Sequence, residues 1–262
     1  MQTNAVKRII QNVCHSLAGA GGTGALLLLA ISTQAQNLFE ADSSGNIYEF
    51  TPNGACSTFA SGLSYPQGLA FNSAGDLFVA DEGSGNIYEF TSNGGSSTFA
   101  FGLNDPVGLA FNSTGDLFVS DVYRGSIYEF TPNGGSSTFA SGLNPAGLAF
   151  SSAGDLFEAD GNSGNIYEFT PNGGSSTFAS GLSAPLVLAF NSAGDLFVAN
   201  YLGGSVTDIT PSGAQSTFAS GLAEPYGLAF QDIELPVPEP ATWALVILGT
   251  APLCVVLRRK RT

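Results

Sequence analysis

Basic side chains are nearly missing from the body of this chain. It has seven Lys and Arg in 262 residues, and Lys7, Arg8, Arg258, Arg259, Lys260 and Arg261 lie at the two ends. Residues 37–232 carry 19 acidic residues against Arg124 alone, a net of −18. Such a surface repels nucleic acid and anionic lipid and attracts cations, so nucleic acid is excluded as a partner. Histidine is scarcer still, since His15 is the only one and lies near the N-terminus. Ser–His–Asp and Cys–His catalysis, His-ligated zinc and lysine Schiff-base chemistry each lack a required group in residues 37–232. Of Cys14, Cys56 and Cys254, only Cys56 falls in that body, so no disulfide can form within it. Cys56 stands where the following copies of the repeat described below have Ser96 and Ser136, a tolerated variant. The chemistries left by this inventory are carboxylate-pair hydrolysis and Ca²⁺-assisted lactone opening.

Both ends have the composition of targeting segments. Lys7 and Arg8 precede a short apolar run, ALLLLAI at 25–31, and small residues at 32–35. This order predicts a signal peptide over 1–35, with a buried N-terminal helix as the alternative. The leader contains Gly19, Gly21 and Gly24 in G-x-G-x-x-G spacing, but no strand precedes them and no βαβ unit follows, so no dinucleotide loop is assigned. At the other end, 241–257 is uncharged over 17 residues and is followed at once by Arg258, Arg259, Lys260 and Arg261. As a helix it would span about 25 Å against a hydrocarbon core of about 30 Å, with its basic end cytoplasmic. Residues 233–240 form the linker, and Pro238-Glu239-Pro240 stands just before the apolar stretch.

Between the ends a unit of about 40 residues recurs. Pro66, Pro106, Pro145, Pro185 and Pro225 mark its register, and a fixed period of this size belongs to propeller blades or solenoid turns. Each copy holds four short runs rich in Phe, Tyr, Val, Ile and Thr, at 68–71, 77–81, 86–91 and 97–100 in the second copy. NSAGD and TSNGG between them are tight-turn sequences. Four short antiparallel strands per unit make a propeller blade. The first copy lacks its first run, and the last copy, Pro225 to Phe230, has only that run. The two fragments complement each other, which favours a ring over an open solenoid. The expected fold is all-β: a five-bladed β-propeller with blades 37–63 plus 226–230, 66–103, 106–143, 145–182 and 185–222. The C-terminal strand is expected to complete the first blade, with a signal helix and a transmembrane helix flanking the ring.

The repeat GLAFNSxGDLFVADxxSGNIYEFTPNGG resembles NHL-type and SMP-30/gluconolactonase-like propellers, which commonly have one blade more. That resemblance implies acidic oxygen ligands for Ca²⁺ near the central channel. The C-terminal order of Pro-Glu-Pro, apolar helix and basic cluster resembles the PEP-CTERM sorting tail of bacterial surface proteins. It implies export, processing by an exosortase-type membrane peptidase and association with extracellular polysaccharide. A plain C-terminal anchor through 241–257 is the alternative.

In an up-and-down blade the turns alternate between the two rims. The first-to-second and third-to-fourth turns hardly vary between copies, whereas the second-to-third turns and the blade connections do. Variation therefore gathers on one rim, either as ligand recognition or as drift on an unconstrained face. Its candidate binding residues are Tyr65, Glu82, Asp105, Tyr123, Arg124, Asn162, Tyr201, Glu224 and Tyr226, whose rings and polar groups suit sugar. A second set, Asp42, Asp81, Asp121, Asp160 and Asn200, closes the second strand of each blade. These residues suit either Ca²⁺ or Asx-type bonds to their own turns. Glu49, Glu89, Glu129, Glu168 and Asp208 are mid-strand partners for nearby hydroxyls or backbone. The expected function is a non-enzymatic surface or matrix-associated binding module for polysaccharide, with a Ca²⁺-dependent lactonase as the alternative.

Overall fold

A computed structural model describes residues 37–228, except Pro52 and Gly173. The expected signal segment 1–35, the linker from 233, the span 241–257 and the basic residues 258–262 lie outside the described residues. Among the described residues no helix is long and apolar enough to cross a membrane.

The period-2 runs fold as strands wherever Gly-containing turns bound them. The first blade is β1 (Leu38–Asp42), β2 (Asn46–Phe50) and β3 (Cys56–Ser61). The second is β4 (Pro66–Phe71), β5 (Leu77–Asp81), β6 (Asn86–Phe90) and β7 (Ser96–Ala100). The third is β8 (Pro106–Phe111), β9 (Leu117–Asp121), β10 (Ser126–Phe130) and β11 (Ser136–Ser141). The fourth is β12 (Pro145–Phe150), β13 (Leu156–Asp160), β14 (Asn165–Phe169) and β15 (Ser175–Ala179). The fifth is β16 (Pro185–Phe190), β17 (Leu196–Asn200), β18 (Ser205–Ile209) and β19 (Gln215–Ser220). Pairing is antiparallel between sequence neighbours, so each blade is a meander. A register shift recurs between the third and fourth strands, as at Ile87/Tyr88.

The core lies between blades. Phe78 and Ala80 of β5 pack against Leu109, Leu117 and Val119 of the next blade. Phe157 and Ala159 likewise meet Leu188, Leu196 and Val198. Phe78 also stands edge-on to Phe99 of its own blade and Phe111 of the next, at 5.0 Å each. The same triplet recurs at Phe39, Phe118 and Phe157. Edge-to-face pairs of this kind add about 1 kcal/mol each beyond the area they bury. This ladder, not a disulfide, joins the blades.

In the second, third and fourth blades the innermost strand approaches the next so closely that one position must be glycine. A Cβ on Gly68 would overlap the Val107 carbonyl, one on Gly108 that of Ala146, and one on Gly147 that of Leu186, all well inside 3.0 Å. The fifth inner strand has Val187 in this slot.

The structure differs from the sequence reading at the expected closing strand. The first sheet has three strands among the described residues, and Pro225 to Leu228 are not in a strand. Ala229 and Phe230 lie outside the described residues. Leu38 is 62% exposed, whereas its counterpart Leu77 is 1% exposed. A Cβ built on Gly227 meets nothing within 4 Å.

Candidate functional site

The variable rim is built by pairing each blade connection with the second-to-third turn it faces. Glu82 N–H donates to the Tyr65 carbonyl, Val122 N–H to Asp105, Gly161 N–H to Asn144 and Tyr201 N–H to Ala184. Tyr65, Ala184 and Glu224 each precede a proline and hold φ of 62°, 50° and 47°. Positive φ is uncommon for such residues, and two of the three are candidate binding residues.

The Asp set secures this junction. Asp81 accepts from Ser64 N–H at 2.7 Å and from the Ser84 hydroxyl at 2.6 Å. Asp121 accepts from Asn104 N–H at 2.9 Å and Arg124 N–H at 3.1 Å. Asp160 accepts from Asn144 N–H and Ser163 N–H at 2.8 Å each, and Asp42 from Ser44 N–H at 2.7 Å. Asn200 donates to Ser205 and Thr207, while its Oδ1 is buried without a partner. Among the described residues no three His, Cys, Asp or Glu side chains gather as ligands for a metal ion. The four aspartates thus make turn and junction bonds of the Asx type, which is one of the two readings of this set, while Asn200 bonds side-chain hydroxyls instead. Asp81→Ala should cost about 1 kcal/mol, because it removes the acceptor of two part-buried hydrogen bonds, from the Ser64 N–H and the Ser84 hydroxyl. Urea unfolding should give the same loss in calcium and in chelator; a loss seen only with calcium would favour the cation.

Five of the nine candidate rim residues come together. Tyr226 donates its hydroxyl to Gln67 Oε1 at 3.3 Å, and its ring stands edge-on to Tyr201 at 6.0 Å and 85°. Gln67 Nε2 donates to Glu82 Oε2 at 2.8 Å. Tyr201 hydrogen-bonds Glu224, which pushes its phenol above the ordinary range. Burial, then Glu82 and Asp105, push the Tyr226 phenol up as well. Burial, with the charges of Glu82 and Asp121, raises the Asp105 carboxyl, whose Oδ1 is buried without a partner. Tyr65 joins through its backbone and keeps an exposed ring. Tyr123 and Asn162 are exposed on the third and fourth blades. Arg124 turns to its own blade, with Nε 3.8 Å from Asp121 Oδ2 and a hydrogen bond to Tyr128.

Sequence reading missed Gln67. Its signal was its slot, which holds Gln67, Val107, Ala146, Leu186 and Tyr226 in the successive inner strands. It also missed Glu158, which stands where β5, β9 and β17 have Val79, Val119 and Val198. Glu158 is fully buried, neither carboxyl oxygen has a hydrogen-bond partner, and burial with the nearby Asp160 pushes it up to about 8. Ser120, on the face the third blade turns to the fourth, replaces the alanine of the other blades. It accepts from Gly108 N–H and donates to the Ala146 carbonyl, both at 2.7 Å.

A recess of about 450 Å³ lies on the constant rim between the fourth and fifth blades, lined by Ser151, Asp155, Phe157, Phe178, Phe190 and Pro211. Its turn residues recur with little change in every blade, so it has little with which to select a ligand.

No protein-family model and no curated protein matches the sequence. Solved structures do. A virginiamycin B lyase from Staphylococcus aureus superposes with a TM-score of 0.61 at 16% identity, covering 71% of this chain and 67% of that one. A gluconolactonase from Xanthomonas campestris gives 0.64 at 18%, covering 70% and 72%. An auxiliary nutrient binding protein from Bacteroides thetaiotaomicron gives 0.61 at 14%, covering 70% and 54%. At these identities the likeness establishes the fold, a β-propeller of an architecture used by lyases, gluconolactonases and binding proteins.

Proposed function

We propose that this chain is an exported, surface- or matrix-associated binding module that holds a hydroxyl-rich polymer such as polysaccharide on its variable rim. The observation that carries the reading is the convergence of Tyr201, Tyr226, Gln67, Glu82 and Asp105, drawn from the second and fifth blades, the second-to-third connection and the C-terminal segment. Edge-on tyrosines offer apolar faces to a sugar ring, and the amide and carboxyls around them accept from its hydroxyls. The acidic body and the basic ends support passage out of the cell, with Pro238-Glu239-Pro240 and the tail 241–262 handled by an exosortase-type membrane peptidase. Until processed, 241–257 would anchor the chain in the membrane.

A Ca²⁺-assisted lactonase is the second reading, favoured by the gluconolactonase among the structural neighbours. The binding reading ranks first because the buried aspartates are already engaged with backbone amides. The full-length chain on a glycan array should retain at least one matrix polysaccharide. Tyr201→Ala with Tyr226→Ala should weaken that binding at least tenfold, about 1.4 kcal/mol. Lactone hydrolysis that requires Ca²⁺, with no glycan retained, would reverse the ranking.

A further inference from the structure

The third-to-fourth turns on the constant rim carry an Asn-Gly pair in the first four blades, and Ser212-Gly213 in the fifth. Gly173 of the fourth pair lies outside the described residues. The other three pairs, Asn53-Gly54, Asn93-Gly94 and Asn133-Gly134, are exposed, and their glycines hold φ of 82°, 90° and 81°. In each turn the glycine N–H donates to a threonine carbonyl: Gly54 to Thr51 at 2.8 Å, Gly94 to Thr91 and Gly134 to Thr131 at 2.9 Å. The asparagine side chains are not held alike. The Thr51 and Thr91 hydroxyls donate to Asn53 Oδ1 and Asn93 Oδ1, and Ala55 N–H adds a second bond to Asn53. The Thr131 hydroxyl bonds only Gly135, and among the described residues the Asn133 side chain has no hydrogen-bond partner. The second turn is tied further by Ser92 N–H, which donates to Asp76 Oδ1 at 2.9 Å, whereas Pro132 in the third has no N–H to give.

We propose that Asn133-Gly134 is a self-modification site, where the chain converts its own side-chain amide to an acid ahead of the same pair in the first two blades. The Gly134 nitrogen gives its proton to solvent and bonds to Asn133 Cγ. The Cγ–Nδ2 bond breaks, and the amide nitrogen leaves as ammonia after taking a proton from water. Water then opens the cyclic imide. Hydrolysis at Cγ leaves aspartate, and hydrolysis at the main-chain carbonyl leaves isoaspartate, with no oxidant or reductant required. Glycine is the favourable second residue because it has no Cβ to obstruct the approach. The nitrogen is tied to threonine equally in all three turns, so the rates are set at the carbonyl it attacks. Asn53 and Asn93 are folded back onto threonine, and that bond must break before Cγ can turn to the glycine. Asn133 has no such bond to break. Either product adds negative charge to the constant rim. Isoaspartate also lengthens the main chain inside the turn that closes β10 to β11, so its effect falls on an outer hairpin. The proposal does not depend on what the variable rim binds.

Incubation of the folded full-length chain in heavy-oxygen water at neutral pH, followed by peptide mass spectrometry, tests it. Each asparagine that reacts becomes an acid carrying the label, so the sites are timed separately. Asn133 should convert about fivefold faster than Asn53 or Asn93, the factor that one hydrogen bond of ordinary net strength puts on a barrier. Thr91→Val and Thr131→Val each remove a hydroxyl that accepts from a glycine N–H, but only the first also frees an asparagine. Thr91→Val should therefore speed Asn93 by about the same factor, and Thr131→Val should leave Asn133 unchanged. Equal conversion of Asn93 and Asn133 in the unaltered chain overturns the proposal whatever the variants do. So does a Thr91→Val chain with no faster Asn93, or equal acceleration by both variants, which would make loosening of the turn the cause.

Discussion

Glu158→Val should raise stability by about 3 kcal/mol at pH 7, a gain of roughly 10 °C in Tm for a domain of this size. The residue is fully buried in the interface between the third and fourth blades, and both carboxyl oxygens lack partners. Its carboxyl titrates near 8 in the folded chain, against 4.5 for the ordinary group. Between those values the folded chain holds a proton that the unfolded chain has released. Stability from this site is therefore complete below about pH 4.5 and falls as pH rises, by about 1.4 kcal/mol per unit, until it levels above 8. Valine, the residue of β5, β9 and β17, has no such dependence. The gap between the two chains should widen from pH 4.5 to 8 and then stay constant, because slopes from other groups cancel in the difference. Urea midpoints at half-unit intervals would measure it. A gap that does not change with pH would mean that water or a partner satisfies the carboxyl.

Gly68→Ala should destabilise by about 3 kcal/mol, although alanine is ordinarily the better residue in regular structure. One methyl group at this position would overlap the carbonyl oxygen of Val107 and touch the Leu109 side chain. That oxygen belongs to the neighbouring inner strand, so relief requires two blades to move apart, which loosens the Phe78–Phe111 contact as well. At an exposed turn glycine such as Gly102, whose φ is 80° but whose surroundings are open, alanine should cost only its backbone strain, about 1 kcal/mol. Thermal unfolding of the two variants separates close approach from conformational preference. Equal losses would contradict the inner-ring account.

The sequence made the ring legible because each strand is short, alternates and ends in a turn whose glycine takes positive φ, so local signals and long-range packing agree. The strand bounds of the second to fifth blades follow the repeat closely. Closure was less legible. The pattern of residues 226–230 names a first strand, yet Pro225 to Leu228 are not in a strand, because pairing depends on long-range packing that the local pattern does not encode. The Asp set illustrates a second limit. Carboxylates at equivalent ends of four strands, with Asn200 at the fifth, suggest a common ligand, yet whether their oxygens converge or turn back to the backbone depends on rotamers that spacing does not encode. The rim cluster was half legible. Tyr201, Tyr226, Glu82, Glu224 and Asp105 stood out as departures from the repeat, while Gln67, which joins them, is in a strand that otherwise reads as repeat. Glu158 carried its own signal, a charge in a slot that is otherwise mostly valine.

The central claim is that constant turns build the ring and the variable rim reads a ligand. The most direct measurement compares the two rims in one assay. Polysaccharide affinity of the full-length chain would be determined for Tyr201→Ala with Tyr226→Ala, and for Asn191→Ala on the constant rim, with unfolding midpoints measured in parallel. The account predicts at least a tenfold loss of affinity for the tyrosine pair with little loss of stability, and unchanged affinity for Asn191→Ala. Retained affinity in the tyrosine variant, or a loss confined to Asn191→Ala, would contradict it.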